Sequence, residues 1–112
     1  MTVEEIIALC METFPNIIEG ASITQEDRMV RFHLSDGSFL YVFVGKSGRY
    51  SFHWQKKDQA LRFNNAPHFD SIETAPHHFH DANGTVRASP ITGVTPENIQ
   101  AIFQFIHLRL KE

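Results

Sequence analysis

Several things are scarce in this chain, and each scarcity removes a class of protein. Cys10 is the single cysteine among 112 residues, so no intramolecular disulfide staples the fold. Positive charge is in short supply: ten Lys and Arg stand against thirteen Asp and Glu, a formal net charge of −3. A protein that holds nucleic acid through bulk charge is usually basic, so the balance argues against that mode and leaves a local cationic groove open. No apolar run approaches the roughly 20 residues of a membrane span. The first residues carry Glu4 and Glu5 and neither a basic region nor a long apolar stretch, which argues against a secretory signal. The expectation is a cytoplasmic protein without membrane association. Repeats, linkers and low-complexity stretches are absent as well.

What is present is ordinary globular composition, 42% apolar and 21% charged, in a length that suits a single domain over residues 1–112. Ten phenylalanines, against two tyrosines and one tryptophan, supply large apolar area with no polar atom to satisfy, so a dense core is expected. Thr2 with Glu5 three residues on is a capping-box signature. Val3, Ile6, Ile7, Cys10 and Phe14 then recur at helical spacing, and Pro15 stops the helix, predicting α-helix over Val3 to Phe14. Thr95-Pro96-Glu97 reads as a cap followed by proline at the first helical position. Ile99, Ile102, Phe103, Ile106 and Leu110 make an apolar stripe, so a second helix is predicted over Pro96 to Lys111.

Between the helices the period changes to two. Val30, Phe32 and Leu34 alternate with Arg31 and His33; Tyr50, Phe52 and Trp54 with Ser51, His53 and Gln55; Leu61 and Phe63 with Arg62 and Asn64. Phe39 to Val44 is continuously apolar, which predicts a strand covered on both sides. Asp36-Gly37 and Gly45-Lys46-Ser47-Gly48 are turns, and an earlier strand falls around Ile17 to Thr24. Asn65 to Pro76 and Ser89 to Gly93 read as loops. The predicted fold is α+β: an antiparallel meander of about five to six strands, with an N-terminal and a C-terminal helix on one face.

If the helices cover the apolar face, the other face carries Arg31, His33, His53, Gln55, Arg62 and Asn64. Alternating polar residues are what any half-exposed sheet shows, but two arginines and two histidines also suit an anion. His77-His78-Phe79-His80 holds three of the seven histidines. In a strand, His78 and His80 share a face and His77 takes the other. Two readings follow. With His53, His78 and His80 as ligands, and His68 or Asp81 in reserve, the cluster would hold zinc or another divalent transition metal. With no cofactor, histidines near their ordinary pKa and an arginine fork on phosphate suit cleavage of RNA by its own 2′-hydroxyl. His33 and His107 read as bracing residues, Cys10 as core rather than nucleophile, and Tyr50 and Trp54 as core rather than stacking platforms. Phe105 and Leu108 lie off the helical stripe, facing either a partner, such as a second copy, or the sheet rim.

Three segments in order carry a resemblance: Tyr50-Ser51-Phe52-His53-Trp54-Gln55, Asn65-Ala66-Pro67-His68 and Pro76-His77-His78-Phe79-His80. The chain resembles the TumE-like proteins, small prokaryotic toxins of toxin–antitoxin pairs. The resemblance is clearest from Tyr50 to His80. It implies a small DNA-binding antitoxin as partner, and functional weight at His53, Gln55, Arg62, Asn65, His68, His77, His78 and His80. The family usually shows Trp-Asp-Asn before Ala-Pro-His and often a second histidine after it; here Phe63-Asn64-Asn65 and Phe69 stand there. Ribonucleases are frequent among small toxins, so RNA, free or on the ribosome, is the expected target. In that reading His53, His78 and His80 share acid and base roles and Arg62 stabilises phosphate charge. Gln55, Asn65, His68, Arg31 and His77 bind or position substrate. The alternatives are the metal-binding protein above and a non-catalytic interaction module.

Overall fold

The computed structural model describes residues 1–24 and 26–110, without the side chain of Leu110. In chain order it holds α1 (Val3–Thr13), β1 (Ile18–Thr24), β2 (Met29–Leu34), β3 (Phe39–Val44), β4 (Tyr50–Lys56), β5 (Gln59–Asn64), β6 (His78–His80), β7 (Val86–Ala88) and α2 (Pro96–Leu110). The strands form one sheet in sequence order, β1 to β7, each pair antiparallel. The α+β meander is as predicted, with seven strands rather than five to six. The addition is β7, three residues paired with β6 and too short to show a period.

The capping box forms at α1: the Thr2 amide donates to Glu5 Oε1 at 2.9 Å and the Glu5 amide to Thr2 Oγ1 at 3.1 Å. The helix ends at Thr13, one residue before the predicted end, because Phe14 precedes Pro15 and leaves the helical region at φ −127°. At α2, Thr95 Oγ1 accepts from the Asn98 amide at 3.2 Å. The predicted last residue of this helix, Lys111, lies outside the described residues.

Both helices lie on the face that carries Val30, Phe32, Leu34, Leu40, Val42, Phe52, Trp54, Leu61 and Phe63, all buried. Ile6 and Cys10 of α1 and Ile99, Ile102, Phe103 and Ile106 of α2 complete that core. Phe103 ties the layers together: its ring stacks on Phe14 at 4.6 Å and meets Phe32 edge-on at 5.8 Å. Trp54 and Tyr50 are core residues, as expected. Phe105 packs against the sheet rim, edge-on to Phe63 at 5.7 Å and Phe79 at 6.0 Å, whereas Leu108 is exposed.

One expectation is corrected. β3 is not covered on both sides. Leu40 and Val42 enter the core, but Phe39, Tyr41 and Phe43 are only half-buried on the open face. These rings are sheltered by their neighbours: the Arg31 guanidinium lies 3.9 Å from the Phe39 centroid, and His33 meets Phe39 edge-on at 5.2 Å. The apolar run is thus a core stripe and an aromatic strip on alternate positions.

Candidate functional site

Strand register assembles the open face into rows. Arg31, Tyr41, His53, Arg62 and His80 are successive cross-strand partners from β2 to β6. The adjacent row runs Met29, Phe43, Ser51, Asn64, His78. Residues two apart share a face, so both rows point away from the helices. Arg62 therefore stands between His53 on one side and His80 on the other.

Arg62 is held by a relay. Its Nε and one Nη donate to His53 Nδ1 at 3.3 and 3.0 Å. A guanidinium only donates, so Nδ1 accepts and the His53 proton sits on Nε2. That proton goes to Gln55 Oε1 at 2.9 Å, and Gln55 Nε2 donates to the Lys57 carbonyl at 2.8 Å. His53 is thereby fixed as one neutral tautomer. Two of the five guanidinium N–H donors are on His53, which leaves three for a ligand.

His78 and His80 meet on the same face with ring centroids 4.8 Å apart. Phe69, from the loop after β5, lies against both, 4.6 Å from His78 and 5.5 Å from His80. His78 is 1% exposed; its Nδ1 donates to the Pro76 carbonyl at 2.9 Å, and its Nε2 is buried without a hydrogen-bond partner. His80 is half-buried. Burial, and then the positive charges of His78 and Arg62, push its pKa below the usual histidine value. At neutral pH His80 is consequently a free base beside a cation.

Next to this row lies a cavity of about 640 Å³ between the ends of β3, β4 and β5. All its charged lining residues are cations, Lys46, Arg49 and Arg62. Tyr41 and Phe43 add aromatic surface; His53, Ser51 and Asn64 add polar groups. Among the described residues the ion pairs are Lys56–Asp36 at 3.4 Å and Arg87–Asp81 at 3.6 Å, so these three cations have no acidic partner.

The turn bearing Lys46 and Arg49 is held firmly. Asn65 Oδ1 accepts from the Tyr50 amide at 3.1 Å, and its Nδ2 donates to the Gly48 carbonyl at 2.9 Å. Ser47 sits at φ 57°, left-handed for a non-glycine residue. A Cβ on Gly45 would stand 2.8 Å from Phe43 Cε2 and 3.1 Å from the Arg49 carbonyl oxygen, so the turn packs directly on the Phe43 ring.

The structure thus gathers His53, Arg62, His78 and His80, with Gln55 behind His53. The other candidates are placed elsewhere. Asn65 spends its amide on the turn. His77 is on the opposite face, with Nδ1 2.8 Å from Tyr50 Oη, which itself donates to the Ile91 carbonyl at 3.1 Å. His68 is exposed on the loop, and Arg31 lies over Phe39 with its Nε buried and unpaired. His53, His78 and His80 do not converge, since Arg62 separates His53 from the other two. No group of three His, Cys, Asp or Glu able to hold a metal occurs among the described residues. Cys10 is fully buried, and burial pushes its thiol up to about 12. Sequence reading missed Lys46, Arg49, Tyr41 and Phe43. The available signal was aromatic residues alternating through β3 into a glycine turn with two cations.

Fold and site together define a small α+β protein whose open sheet face sets histidine and arginine chemistry beside a cationic, aromatic groove. The chain belongs to the TumE toxin family: the family model described as "Toxin TumE" matches residues 7–110. No significant match to a curated protein or to a solved structure was found. Two of the three departures from the expected family pattern fall on the histidine pair, while the third, Phe63, is a core residue. Asn64 is the cross-strand partner of His78, and Phe69 is the ring that covers it. No described helix is long and apolar enough to cross a membrane.

Proposed function

We propose that this toxin cleaves RNA by metal-independent acid–base chemistry on the Arg62 row, and that a small DNA-binding antitoxin is its partner. The observation that carries the reading is the order of the row, histidine, arginine, histidine, on an open face beside an acid-free groove. Transfer to the 2′-oxygen needs a base at the attacking hydroxyl and an acid at the leaving 5′-oxygen, on opposite sides of the phosphorus. His53 and His80 are two strand spacings apart, roughly 9–10 Å, which leaves room for a phosphate between them.

Arg62 turns its guanidinium from His53 to that phosphate and stabilises the charge gathering on the phosphorane. His80, neutral at pH 7, takes the 2′-hydroxyl proton as the new P–O bond forms. With Arg62 on the phosphate, His53 Nδ1 is free to take a proton from solvent. It then delivers that proton to the departing 5′-oxygen as the old P–O bond breaks. Gln55 holds His53 in plane, and His78 keeps His80 oriented and neutral. The products are a 2′,3′-cyclic phosphate and a 5′-hydroxyl.

The test is purified protein in EDTA incubated with total RNA and with ribosomes, beside His80→Ala and Arg62→Ala. The parent is expected to cleave, leaving cyclic phosphate ends, with loss of His80 slowing the rate about 10²–10⁴-fold. Full activity in His80→Ala, or activity abolished by EDTA and restored by a divalent metal, refutes the mechanism.

A further inference from the structure

We propose that the aromatic strip of β3 and the cationic turn after it form a platform for single-stranded RNA, and that duplex RNA is excluded. The inference rests on the reading of the toxin as acting on RNA and names the form of RNA it takes.

Three observations converge. Tyr41 and Phe43 present half-exposed aromatic surface to the cavity, two residues apart on one strand and so on one face. Aromatic side chains of this kind stack on unpaired bases, whose faces a duplex keeps hidden. Cations then bracket the strip. Lys46 and Arg49 are exposed at the turn, while Arg62 is the cross-strand partner of His53, which lies four residues after Arg49 in the chain. Four residues of strand span roughly 13 Å. About four nucleotides at the 3.4 Å stacked spacing cover that length. Lastly, no acidic side chain lines the cavity although acids outnumber bases in the chain as a whole.

The turn is built to keep this arrangement. Gly45 lets the Phe43 ring lie against the turn backbone, and the Asn65 amide ties Gly48 and Tyr50 together. A strand running from the turn toward β6 places phosphates on Lys46 and Arg49, bases on Phe43 and Tyr41, and the scissile phosphate on Arg62. The direction of travel explains why the cations sit at the two ends of the aromatic surface.

The decisive experiment is fluorescence anisotropy with a fluorescein-labelled 2′-O-methyl RNA octamer, which lacks the free 2′-hydroxyl needed for cleavage. The same octamer is presented single-stranded and as a blunt duplex, over a salt series. The single strand is expected to bind at least about tenfold more tightly than the duplex, with Phe43→Leu weakening it by about tenfold. Lys46→Ala/Arg49→Ala, at two exposed positions outside the core, should flatten the slope of log K against log salt by about 1.4.

Equal affinity for the two forms, or a slope unchanged in the double variant, overturns the platform. So does competition by polyglutamate of equal charge as effective as the unlabelled octamer, since that describes a surface for an acidic protein segment. The outcome is separable from the cleavage reading. Intact binding with undiminished cleavage by His80→Ala removes the chemistry and keeps the platform. Normal binding by the β3 and turn variants, with cleavage lost in His80→Ala, does the reverse.

Discussion

A guanidinium only donates hydrogen bonds, so each group beside Arg62 must either accept from it or stand next to its charge. His53 does the first, through Nδ1, and His80 does the second. The sign of the His80 effect follows. Its folded pKa lies below the ordinary 6.5, so as pH falls the unfolded chain takes up the proton first. Whatever stability this group contributes is complete above pH 6.5 and is lost as pH falls through the folded value. Because His78 and Arg62 are the charged contributors, removing either should raise the His80 value toward 6.5. Nitrogen-15 NMR titration of His80 in the parent, in His78→Asn and in Arg62→Gln reads this directly. A His80 value that stays put in both variants would mean the charges do not face each other as described. The acid limb of kcat/KM is expected below pH 6.5 in the parent for the same reason.

At the scale of the element, the turn between β3 and β4 depends on one side chain from outside it. Asn65→Ala removes both hydrogen bonds that fasten the turn and leaves the Tyr50 amide without its partner. The expected cost is about 1–2 kcal/mol, seen as a fall of roughly 5 °C in Tm. Octamer affinity should fall further than Lys46→Ala alone produces, because both cations lose their placement. An unchanged Tm would show that the amide is idle. The elements themselves were legible: the capping box, Pro15, Pro96 and Asp36-Gly37 mark ends and turns, and alternation sorted Arg31, His33, His53, Gln55, Arg62 and Asn64 onto the open face. Register was not legible, because alternation says which face a residue takes and not which residue stands beside it. Hence His53, Arg62 and His80 were suspected as a set while the central place of Arg62 between them was invisible. Lys46 and Arg49 were passed over because charge in a glycine turn is what solvent exposure alone predicts. The bracing role of Asn65 is invisible in sequence because nothing local reveals two partners 15 and 17 residues away.

Across the whole molecule, one sheet separates the core from the candidate site. Its helix-covered face holds the core, and its open face holds the row and the groove, with side chains on opposite sides of a single backbone layer. The two functions should therefore come apart under mutation. Phe103 is fully buried and joins α1, α2 and β2 through its contacts with Phe14 and Phe32. Phe103→Leu keeps an apolar side chain there but loses the stacked pair, at a cost of about 1–2 kcal/mol, between a volume-conserving swap and a full truncation. The midpoint of urea unfolding should fall accordingly, while kcat for the proposed RNA cleavage, measured where both proteins are shown to be folded, should stay within about twofold of the parent. His80→Asn is expected to give the opposite pair of results at neutral pH, a rate lost about 10²-fold or more with little change in the unfolding midpoint. A Phe103→Leu protein that is folded yet inactive would show that the core sets the geometry of the open face, and the sheet would then be a coupled element, not a partition.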